Sequence, residues 1–551
     1  MKSVAWFLSE QAKTRPDAPA IILPGQRQDD GSLQGEATSN ASLDLLSDQI
    51  AAGLQSVGIS RGMRTVLMVK PGLEFFALTF ALFKAGVVPV MVDPGMGRAN
   101  LGTCLKEAEP EAFIGIPVAQ MARLLLGWGR GSIKHHVTVG RRWAWGGTTL
   151  DHVIAAGKEA LEDQSTTPSV DVDTDETAAI LFTSGSTGVP KGAVYSHGNF
   201  IAQVNIIRDT YGIEPGEIDL PTFPLFALFD PALGMTTVVP DMDFSNPGKV
   251  DPAMLVETVR GFNVTNMFGS PAVMDRLSRY GETHKVTFPS LRRVISAGAP
   301  VPGKTLARIE KMLAKDVEIF TPYGATEALP VASIGSHEIL NEAQSLTDNG
   351  AGICVGRPVR GQTVRIIQIS DEPIHAWQEV TETAKGEIGE ITVQGPTVTR
   401  GYLHRPRSTK LAKIETDEGI VHRMGDLGYF DDKGRLWFCG RKNHRVVTQE
   451  ETLFTINSEA VFNTHPKVRR TALVGVGNPM EAQAVLCIET EEPANRDEQT
   501  AIIADLQSIA KQHKHTRNIE RFLFHPEFPV DVRHNSKIFR EKLKIWAESQ
   551  L

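Results

Sequence analysis

Short apolar runs alternate with helical patterns through the first 330 residues, and this alternation limits the folds that the chain can adopt. Runs typical of buried strands cover 65–69, 87–92, 179–183, 264–268 and 293–296. Segments with helical spacing, such as PAMLVETVRGF and AVMDRLSRY, lie between them. Strands that alternate with helices are typical of layered α/β folds, so we predict sheets with helices on their faces.

The pattern changes in the second half of the chain. From about residue 350 strand-like runs dominate, as in GQTVRIIQIS, GEIGEITVQGP and GRLWFCGR. A smaller segment of mixed helices and strands follows Arg441. We therefore predict a large domain over 1–440, made of layered α/β parts and a β-rich part, and a small α+β domain over 441–551.

Composition and charge favour a soluble cytoplasmic enzyme. Hydrophobic residues make up 41% of the chain and charged residues 22%, while the net charge of −8 argues against a protein that coats nucleic acid. The longest apolar region is broken by Lys84 and Pro89, so we expect a core helix and a strand there, not a membrane span. Four cysteines are too far apart in sequence for a metal or disulfide framework, which suggests a reducing compartment: Cys104, Cys354, Cys439 and Cys487.

The stretch LFTSGSTGVPKG, residues 181–192, follows an apolar run and reads as a strand that enters a glycine-rich loop. Glycines let backbone N–H groups surround an anion, hydroxyl side chains add donors, and Lys191 adds a positive charge. This chemistry suits a polyphosphate. It is not a Walker loop, because Lys191 precedes Gly192 and no Gly-Lys-Ser/Thr sequence follows.

Three later segments carry groups that would complete a nucleotide site. TPYGATEA (321–328) supplies a carboxylate that can hold Mg²⁺ beside phosphate oxygens. RMGDLGYFDDKGRLWFCGRK (423–442) supplies Asp426 for the hydroxyls of a ribose and Arg441 for phosphate. DVRHNSKIFREKL (531–543) supplies Lys537.

With these segments in place the chain resembles the acyl-adenylate-forming superfamily, which includes acyl-CoA synthetases, nonribosomal adenylation domains and firefly luciferase. The matching pieces are KAGVVPVMVDP, LFTSGSTGVPKGAVYSHGNF, SAGAPV, YGATE, GEIGEITVQGP, MGDLGYFDDKGRLWFCGR and SKIFREKL. They occur in the family's order and span nearly the whole chain. The resemblance implies use of ATP and Mg²⁺, and a small C-terminal domain that is mobile.

The resemblance also implies roles for individual residues. Lys537 would bridge the substrate carboxylate and the α-phosphate, Thr326 would contact the α-phosphate, and Glu327 would hold Mg²⁺; these three are the expected catalytic residues. The residues expected to bind ATP or AMP are Thr183, Ser184, Gly185, Ser186, Thr187, Gly188, Lys191, Gly298, Ala299, Pro300, Tyr323, Gly324, Thr326, Asp426 and Arg441.

The chain departs from the family where a thiol would enter. The hinge position carries Asn443, and TQEETLF replaces a glycine-containing loop that helps to form a tunnel for pantetheine. Ala227 stands where many members have a histidine, Thr321 replaces a frequent adenine-reading residue, and Ser536 replaces the glycine before the lysine. These differences are compatible with drift in a CoA ligase, or with a reaction that uses no external thiol.

We favour the second interpretation, because the amino-acid sequence resembles those of the β-lactone synthetases of bacterial olefin biosynthesis, notably in FPLFALFDPALGM and SPAVMDRL. In that subgroup a long-chain 2-alkyl-3-hydroxy acid is adenylated and its own hydroxyl expels AMP. The expected partners are this small-molecule acid and other olefin-pathway enzymes, with no CoA, no nucleic acid and no required membrane contact. Candidate residues for the acyl pocket are Phe226, Phe229, Met235, Met267, Phe268 and Ala297.

Two alternatives remain open at this point. One is a long-chain fatty acyl-CoA ligase, and the other is a non-catalytic module that binds adenylate. An α/β-hydrolase is excluded because the chain has no GxSxG elbow, and a Rossmann dehydrogenase because LVGVGNPM lacks the last glycine of its fingerprint.

Overall fold

The computed structural model describes residues 3–27, 33–167, 169–183, 190–530 and 538–551. Its strands, numbered in chain order, are β1 (Pro19–Arg27), β2 (Leu33–Ser39), β3 (Arg64–Met68), β4 (Val88–Met91), β5 (Ala112–Gly115), β6 (His135–Thr138), β7 (Thr148–Thr149), β8 (Thr177–Phe182), β9 (Gly192–Ser196), β10 (Ile218–Pro221), β11 (Thr236–Val238), β12 (Asn266–Gly269), β13 (Arg293–Ser296), β14 (Glu318–Ala325), β15 (Ala328–Gly335), β16 (Ile353–Pro358), β17 (Thr363–Ile367), β18 (Gly389–Gln394), β19 (Lys413–Thr416), β20 (Gly419–Phe430), β21 (Leu436–Arg441), β22 (Val446–Val447), β23 (Thr452–Leu453), β24 (Val468–Val476), β25 (Gln483–Thr490) and β26 (Arg521–Phe524).

Its α-helices, numbered in the same way, are α1 (Ala5–Thr14), α2 (Asn40–Ser56), α3 (Leu73–Lys84), α4 (Arg98–Ala108), α5 (Pro117–Leu126), α6 (Leu150–Glu162), α7 (His197–Tyr211), α8 (Pro224–Ala227), α9 (Asp230–Leu233), α10 (Pro252–Gly261), α11 (Pro271–His284), α12 (Gly303–Glu310), α13 (Ser336–Glu338), α14 (Gln344–Asp348), α15 (Pro406–Ala412), α16 (Thr455–Phe462), α17 (Arg496–Lys511) and α18 (Arg540–Gln550).

The elements predicted from the apolar pattern are present. The five predicted strands correspond to β3, β4, β8, β12 and β13, and the longest apolar region forms α3 followed by β4. Within the described ranges, no helix combines the length and the apolar character needed to cross a membrane.

Two large sheets form the first four-fifths of the chain. One has the order β7-β6-β5-β3-β4-β8-β9 and is parallel apart from the β8–β9 pair. The other has the order β17-β18-β20-β21-β16-β15-β14-β13-β12-β10-β11-β1-β2, with β19 paired to β20. Its strands β11, β10, β12, β13 and β14 are parallel neighbours, whereas β14 to β21 pair in the antiparallel sense. The predicted α/β fold with a β-rich part is therefore confirmed.

Helices separate and cover these sheets. The largest core lies between the sheets and contains Phe268 of β12, Leu67 of β3 and Phe76 of α3. On the other face of the larger sheet Met267 packs in a second core beneath α10, α11 and α12, and Leu105 of α4 belongs to a core on the outer face of the smaller sheet. Adjacent residues of one strand, such as 267 and 268, thus face different layers.

The segments predicted to bind nucleotide follow the carboxyl ends of parallel strands. The glycine-rich loop follows β8, residues 297–300 follow β13, and the turn at 326–327 follows β14. In open α/β sheets ligands bind at this edge, because loops from neighbouring strands converge there. The fold therefore gathers three separate sequence motifs in one region.

The chain after Arg441 forms a separate small region. Strands β24, β25 and β26 make a three-stranded sheet whose core includes Leu473 and Leu506. Asn457 Nδ2 of α16 donates a hydrogen bond to the Gly350 carbonyl over 2.8 Å. This bond connects the small region to the chain just before β16 of the larger sheet. The domain boundary at residue 440 and the mobility of the small domain stay predictions.

Helices α2 and α6 pack with their backbones in close contact, and two glycines make this possible. A Cβ atom added at Gly157 would lie 1.7 Å from the Gln49 carbonyl oxygen, and one added at Gly53 would lie 1.8 Å from the Val153 carbonyl oxygen. No side-chain rotation can relieve these clashes, because both contacts are with backbone atoms.

We predict that Gly157→Ala destabilises the protein although alanine is the better helix former. Separating the helices should cost about 1–3 kcal/mol of overpacking, and the midpoint of thermal unfolding should fall. Ala155→Gly, at an exposed position of the same helix, should cost only about 1 kcal/mol of helix propensity. A higher midpoint for Gly157→Ala than for the unmodified protein would contradict the close contact.

Candidate active site

The glycine-rich loop leaves β8 and returns to β9, its antiparallel neighbour. The Thr183 N–H donates to the Lys191 carbonyl over 2.9 Å and closes the base of the loop. The described structure therefore fixes where the predicted phosphate-binding loop begins and ends. Five of its predicted phosphate contacts lie outside the described residues: Ser184, Gly185, Ser186, Thr187 and Gly188.

A tyrosine that sequence reasoning missed connects this loop to the predicted metal ligand. The Tyr402 hydroxyl donates a hydrogen bond to Glu327 Oε1, and its ring centroid lies 5.1 Å from the Lys191 ammonium. Burial lowers the pKa of Lys191, while the Glu327 charge acts in the opposite direction. Burial and then the Glu327 charge raise the pKa of Tyr402, so the phenol keeps its proton and remains the donor.

The backbone around Tyr402 explains its position. The Val194 N–H donates to the Gly401 carbonyl over 3.0 Å, and the Leu403 N–H donates to the Gly192 carbonyl over 2.8 Å. Residues 401–403 therefore run along β9 in the manner of a further strand. The only signal in the sequence is a Gly-Tyr pair between two quoted motifs, and its partner strand lies about 200 residues away.

Thr326 and Glu327 lie in the turn between β14 and β15, and their backbone is held from two sides. The Tyr195 hydroxyl donates to the Thr326 carbonyl. Thr399 donates to the Glu327 carbonyl through its N–H at 2.9 Å and its hydroxyl at 3.2 Å. Both side chains are half-buried. The turn is thus fixed by its carbonyls, and apart from the Tyr402 bond to Glu327 Oε1 its side chains remain available to a ligand.

The surroundings of Glu327 are cationic. Lys413, which is buried, places Nζ 3.4 Å from the Thr399 hydroxyl behind the turn. Burial lowers the pKa of Lys413 to about 7, and the Glu327 charge opposes this shift. Glu327 also interacts with Lys191 and Arg441. One carboxylate among three amine or guanidinium groups suits a ligand with several negative charges.

Asp426 connects the two halves of the larger sheet. It accepts hydrogen bonds from the Tyr323 hydroxyl at Oδ2 and from Arg441 Nη1 at Oδ1, each 2.7 Å long. Asp426 and Arg441 are direct cross-strand partners on β20 and β21. The Asp426 charge, above all, raises the pKa of Arg441. A carboxylate can accept about four hydrogen bonds, so Asp426 retains acceptor capacity for a diol.

The remaining predicted adenine contacts lie between β13 and the start of the turn. Gly298 has φ +98°, a left-handed conformation that glycine adopts without strain. Gly298 and Pro300 are exposed and Ala299 is half-buried. Gly324 lies near the end of β14, directly after Tyr323. These residues occupy the same strand edge as the phosphate loop, as the topology requires.

An apolar cavity of about 40 Å³ begins beside this turn, where Pro322, Leu329 and Pro330 belong to its wall. Phe226 stacks on Phe268 inside it, with ring centroids 3.7 Å apart. Four of the six predicted acyl-pocket residues line the cavity: Phe226, Phe229, Met235 and Phe268. Two do not: Met267 is buried beneath α10–α12, and Ala297 packs beside the cavity against the central core.

The inner end of this cavity is polar. Asp219 and Asp230 line it, and both are buried. Asp219 accepts a hydrogen bond from Asn266 Nδ2, and Asp230 Oδ2 accepts one from the Thr237 hydroxyl over 2.8 Å. Burial raises the pKa of Asp219 to about 7 and raises the pKa of Asp230 well above its usual value, and Asp230 donates to the Asp219 carboxylate. The two carboxyl groups therefore titrate as a coupled pair.

Lys537 lies outside the described residues, but the segments on either side of it are anchored. Val530 and Ile538 form an antiparallel bridge. Arg540, which begins α18 and is half-buried, donates to Oε2 of the buried Glu459 over 2.7 Å. The role of Lys537 stays a prediction.

Comparison with known proteins agrees with this geometry. Residues 8–403 match the family described as AMP-binding enzyme. The olefin β-lactone synthetase of Xanthomonas campestris pv. campestris is 51% identical, over 100% of this chain and 98% of that protein. The olefin β-lactone synthetase of Stenotrophomonas maltophilia is 49% identical with the same coverage. The solved amide bond synthetase McbA from Marinactinospora thermotolerans superposes with a TM-score of 0.79 at 21% identity and 99% coverage of both chains, which supports the fold.

We predict that Asp426→Asn weakens ATP binding, because the amide lacks the charge that holds Arg441 and that would accept from a ribose. Hydrogen bonds to charged groups contribute about 1.5–3 kcal/mol each, so the KM for ATP should rise about 10–100-fold. ATP–pyrophosphate exchange measures this constant.

Asp432→Asn is the matched control, since Asp432 is fully exposed in the turn between the same two strands. It should leave the KM for ATP unchanged. Equal KM values for ATP in Asp426→Asn and the unmodified protein would show that Asp426 does not contribute to nucleotide binding.

Proposed function

The chain belongs to the AMP-binding enzyme family and is an AMP-forming ligase, and from this premise we propose that it converts a long-chain 2-alkyl-3-hydroxy acid to a β-lactone. The setting of this reaction is olefin biosynthesis, and ATP is the co-substrate. The observation that carries it is the similarity to two olefin β-lactone synthetases over the whole chain. The residues described above supply a physical account of both steps.

In the first step a carboxylate oxygen of the acid bonds to the α-phosphorus of ATP, and the bond to pyrophosphate breaks. Both reactants are anions, so the site must offset their repulsion. Lys191 and Arg441 supply positive charge on either side of the Glu327 turn. Asp426 and Tyr323 would bind and orient the nucleoside. Lys537 would bridge the substrate carboxylate and the α-phosphate, as the family resemblance implies.

The residues around Glu327 fit a magnesium ion that is shared with the nucleotide. Among the described residues, no three or more His, Cys, Asp or Glu side chains cluster in a way that could hold a metal. Mg²⁺ in nucleotide sites commonly takes one or two carboxylates, with phosphate oxygens and water as the other ligands. Glu327 would supply that carboxylate, and the ion would neutralise phosphate charge. Tyr402 would fix the carboxylate's orientation through Oε1.

In the second step the 3-hydroxyl oxygen bonds to the acyl carbon, the bond from that carbon to AMP breaks, and the hydroxyl proton is released. The nucleophile and the electrophile belong to one molecule, so the reaction is unimolecular and needs no thiol. The ring strain is offset by cleavage of ATP to AMP and pyrophosphate.

The turn that replaces the family's glycine loop supports this thiol-free reaction. Thr448 and Glu451 close a tight turn between β22 and β23, in which the Thr448 N–H donates to the Glu451 carbonyl over 2.9 Å. Asn518 donates to the carboxylates of both Glu450 and Glu451. Two carboxylates at this turn would repel the phosphates of CoA.

The reducing cytoplasm is the proposed compartment. All four cysteines are buried and free of disulfides. The reaction class also demands partners: one enzyme must form the 2-alkyl-3-hydroxy acid, and another must consume the lactone. Neither CoA nor nucleic acid has a role in the proposal.

Incubation with ATP, Mg²⁺ and a long-chain 2-alkyl-3-hydroxy acid, without CoA, should yield lactone, AMP and pyrophosphate in equal amounts. Low-temperature NMR detects the protons of the four-membered ring. The same acid without its hydroxyl should stop at the adenylate. Turnover that begins only when CoA is added, with a thioester as the product, would replace the proposal by a long-chain acyl-CoA ligase.

Lys537→Ala should lower the rate of pyrophosphate release by about 100-fold or more, because it removes a positive charge that stabilises the transition state more than the bound substrates. Lys542→Ala is the control: Lys542 is an exposed residue of α18 whose ammonium lies 4.8 Å from the Phe539 ring. A Lys537→Ala variant with unchanged pyrophosphate release would eliminate its predicted role.

Tyr402→Phe should raise the Mg²⁺ concentration needed for half-maximal adenylation by about 10-fold, since residues that orient metal ligands typically contribute 10–100-fold in affinity. The ring over Lys191 is retained. Tyr429→Phe, which removes a 3.0 Å hydrogen bond to the Ala351 carbonyl elsewhere, should leave the Mg²⁺ requirement unchanged. An unchanged Mg²⁺ requirement in Tyr402→Phe would show that the Tyr402 hydroxyl does not support metal binding.

A further inference from the structure

Helix α5 presents its large apolar side chains to solvent, whereas Gln120 and Arg123 face the protein together with Ala119 and Ala122. Its exposed residues are Val118, Met121, Leu124, Leu125 and Leu126, and Leu125 alone is 78% exposed. Ordinary surface helices show the opposite arrangement. A helix with this orientation leaves an apolar stripe without a partner on the described molecule.

The inward face explains how the helix is held in this orientation. Gln120 Nε2 donates to the Val137 carbonyl over 3.0 Å, and Arg123 Nε donates to Gln120 Oε1 over 3.2 Å. Arg123 also lies over the Phe113 ring at 5.8 Å. Both polar side chains are buried. Rotation of the helix would expose or break these contacts, so the outward apolar stripe is a fixed feature of the fold.

The segment after α5 adds aromatic surface at the same end of the smaller sheet. Trp143 is 61% exposed and stacks on Trp145 with ring centroids 5.8 Å apart. Trp145 Nε1 donates to the Thr138 hydroxyl over 3.0 Å, and Thr138 follows the Val137 carbonyl that anchors α5. Val137 and Thr138, adjacent residues of β6, therefore anchor α5 and the tryptophan pair respectively. Tryptophan is enriched where proteins meet the polar–apolar boundary of a membrane.

The charge of this surface is opposite to that of the whole chain. No acidic residue occurs between Glu111 and Asp151, although the net charge of the chain is −8. Four basic side chains in this interval are exposed and form no ion pair with a described residue: Arg130, Lys134, Arg141 and Arg142. Apolar side chains beside unpaired cations match the acyl and headgroup layers of an anionic lipid surface.

We propose that helix α5 and residues 127–147, here called the α5 surface, bind the surface of an anionic lipid bilayer. The apolar side chains of α5 and Trp143 enter the boundary between headgroups and acyl chains, and the four cations contact the phosphate groups. A protein docked in this way would meet long-chain acids where they concentrate. The proposal does not rest on the product of the reaction, because lipid binding is measured without substrate.

Flotation of the full-length protein with vesicles tests the α5 surface. One vesicle set contains phosphatidylcholine with 30% phosphatidylglycerol as the probe composition, and the other contains phosphatidylcholine alone. The unmodified protein should float with the anionic set, and binding should weaken strongly in 0.5 M salt, where the screening length is only a few ångströms. Because each basic residue near such a surface contributes about 1 kcal/mol, the double reversal Arg141→Glu and Arg142→Glu should weaken binding roughly 30-fold or more.

Leu125→Glu tests the apolar part, and Leu45→Glu is its control. Leu45 is 55% exposed on α2 and lies outside the α5 surface. Leu125→Glu should abolish flotation, Leu45→Glu should retain it, and both should keep the unmodified rate of pyrophosphate release with a dissolved acid. That rate also shows that each variant is folded.

Three results would overturn the proposal. The first is that the unmodified protein floats with neither vesicle set. The second is that Leu125→Glu and the double reversal both float like the unmodified protein. The third is that vesicles do not bind but size-exclusion chromatography shows self-association that Leu125→Glu abolishes, which would make a second copy of the chain the occupant. None of these results bears on lactone formation, so the two proposals fail separately.

Discussion

The pairing of residues 401–403 with β9 is the contact on which the candidate active site depends. The phosphate loop belongs to the seven-stranded sheet, whereas Glu327 and Asp426 belong to the larger sheet. Two backbone hydrogen bonds fasten the 401–403 segment beside the loop, and Tyr402 reaches from there to Glu327. Arg405 adds a second attachment, with Nη2 2.6 Å from Oε2 of Glu107 on α4. This attachment therefore holds the phosphate loop of one sheet beside the Glu327 turn of the other.

The electrostatics of the site follow from the same assembly. Adenylation joins two anions, so a site that bound them with carboxylates alone would repel both. The structure places Glu327 among Lys191, Lys413 and Arg441, which come from three separate parts of the chain. Burial lowers the pKa of both lysines and so disfavours their charged form, which a bound polyphosphate would favour.

Much of the fold and part of the site could be predicted from the sequence, because both depend on local patterns. Strand β13 was predicted with its observed boundaries, since an apolar run between polar segments defines a buried strand. Asp426 and Arg441 become partners because β20 and β21 form an antiparallel pair whose turn lies halfway between them. The separation of fifteen residues around a short turn is therefore enough to predict that these two residues are cross-strand neighbours.

Other parts of the site could not be predicted, because they depend on the register between distant segments. Tyr402 and Tyr195 contact the Glu327 turn across 75 and 131 residues of sequence. Met267 and Phe268 have the same apolar character, yet they face opposite layers of the sheet, and only Phe268 reaches the cavity. No local pattern distinguishes two neighbouring apolar residues of one buried strand.

The cavity described here is smaller than a long alkyl chain would need. Ligand pockets typically measure about 300–1,000 Å³, and this cavity measures about 40 Å³. A larger cavity would form if the stacked rings of Phe226 and Phe268 parted, and such pairs contribute about 0.5–1.5 kcal/mol beyond their area. A buried methylene contributes about 0.8 kcal/mol, so two methylenes of a substrate offset the ring contact.

If an alkyl chain of the proposed substrate enters this cavity, the polar inner end would limit how far the chain extends. Asp219 lies at the register level of Asn266, Arg293 and Glu318, five residues before Tyr323 on β14. At about 3.3 Å per residue this is roughly 16 Å below the nucleotide edge. An alkyl chain that reached further would have to pack against the two buried carboxyl groups of Asp219 and Asp230, and contact between apolar and polar groups without water is costly. The carboxyl pair would therefore end the apolar path for a chain that enters the cavity.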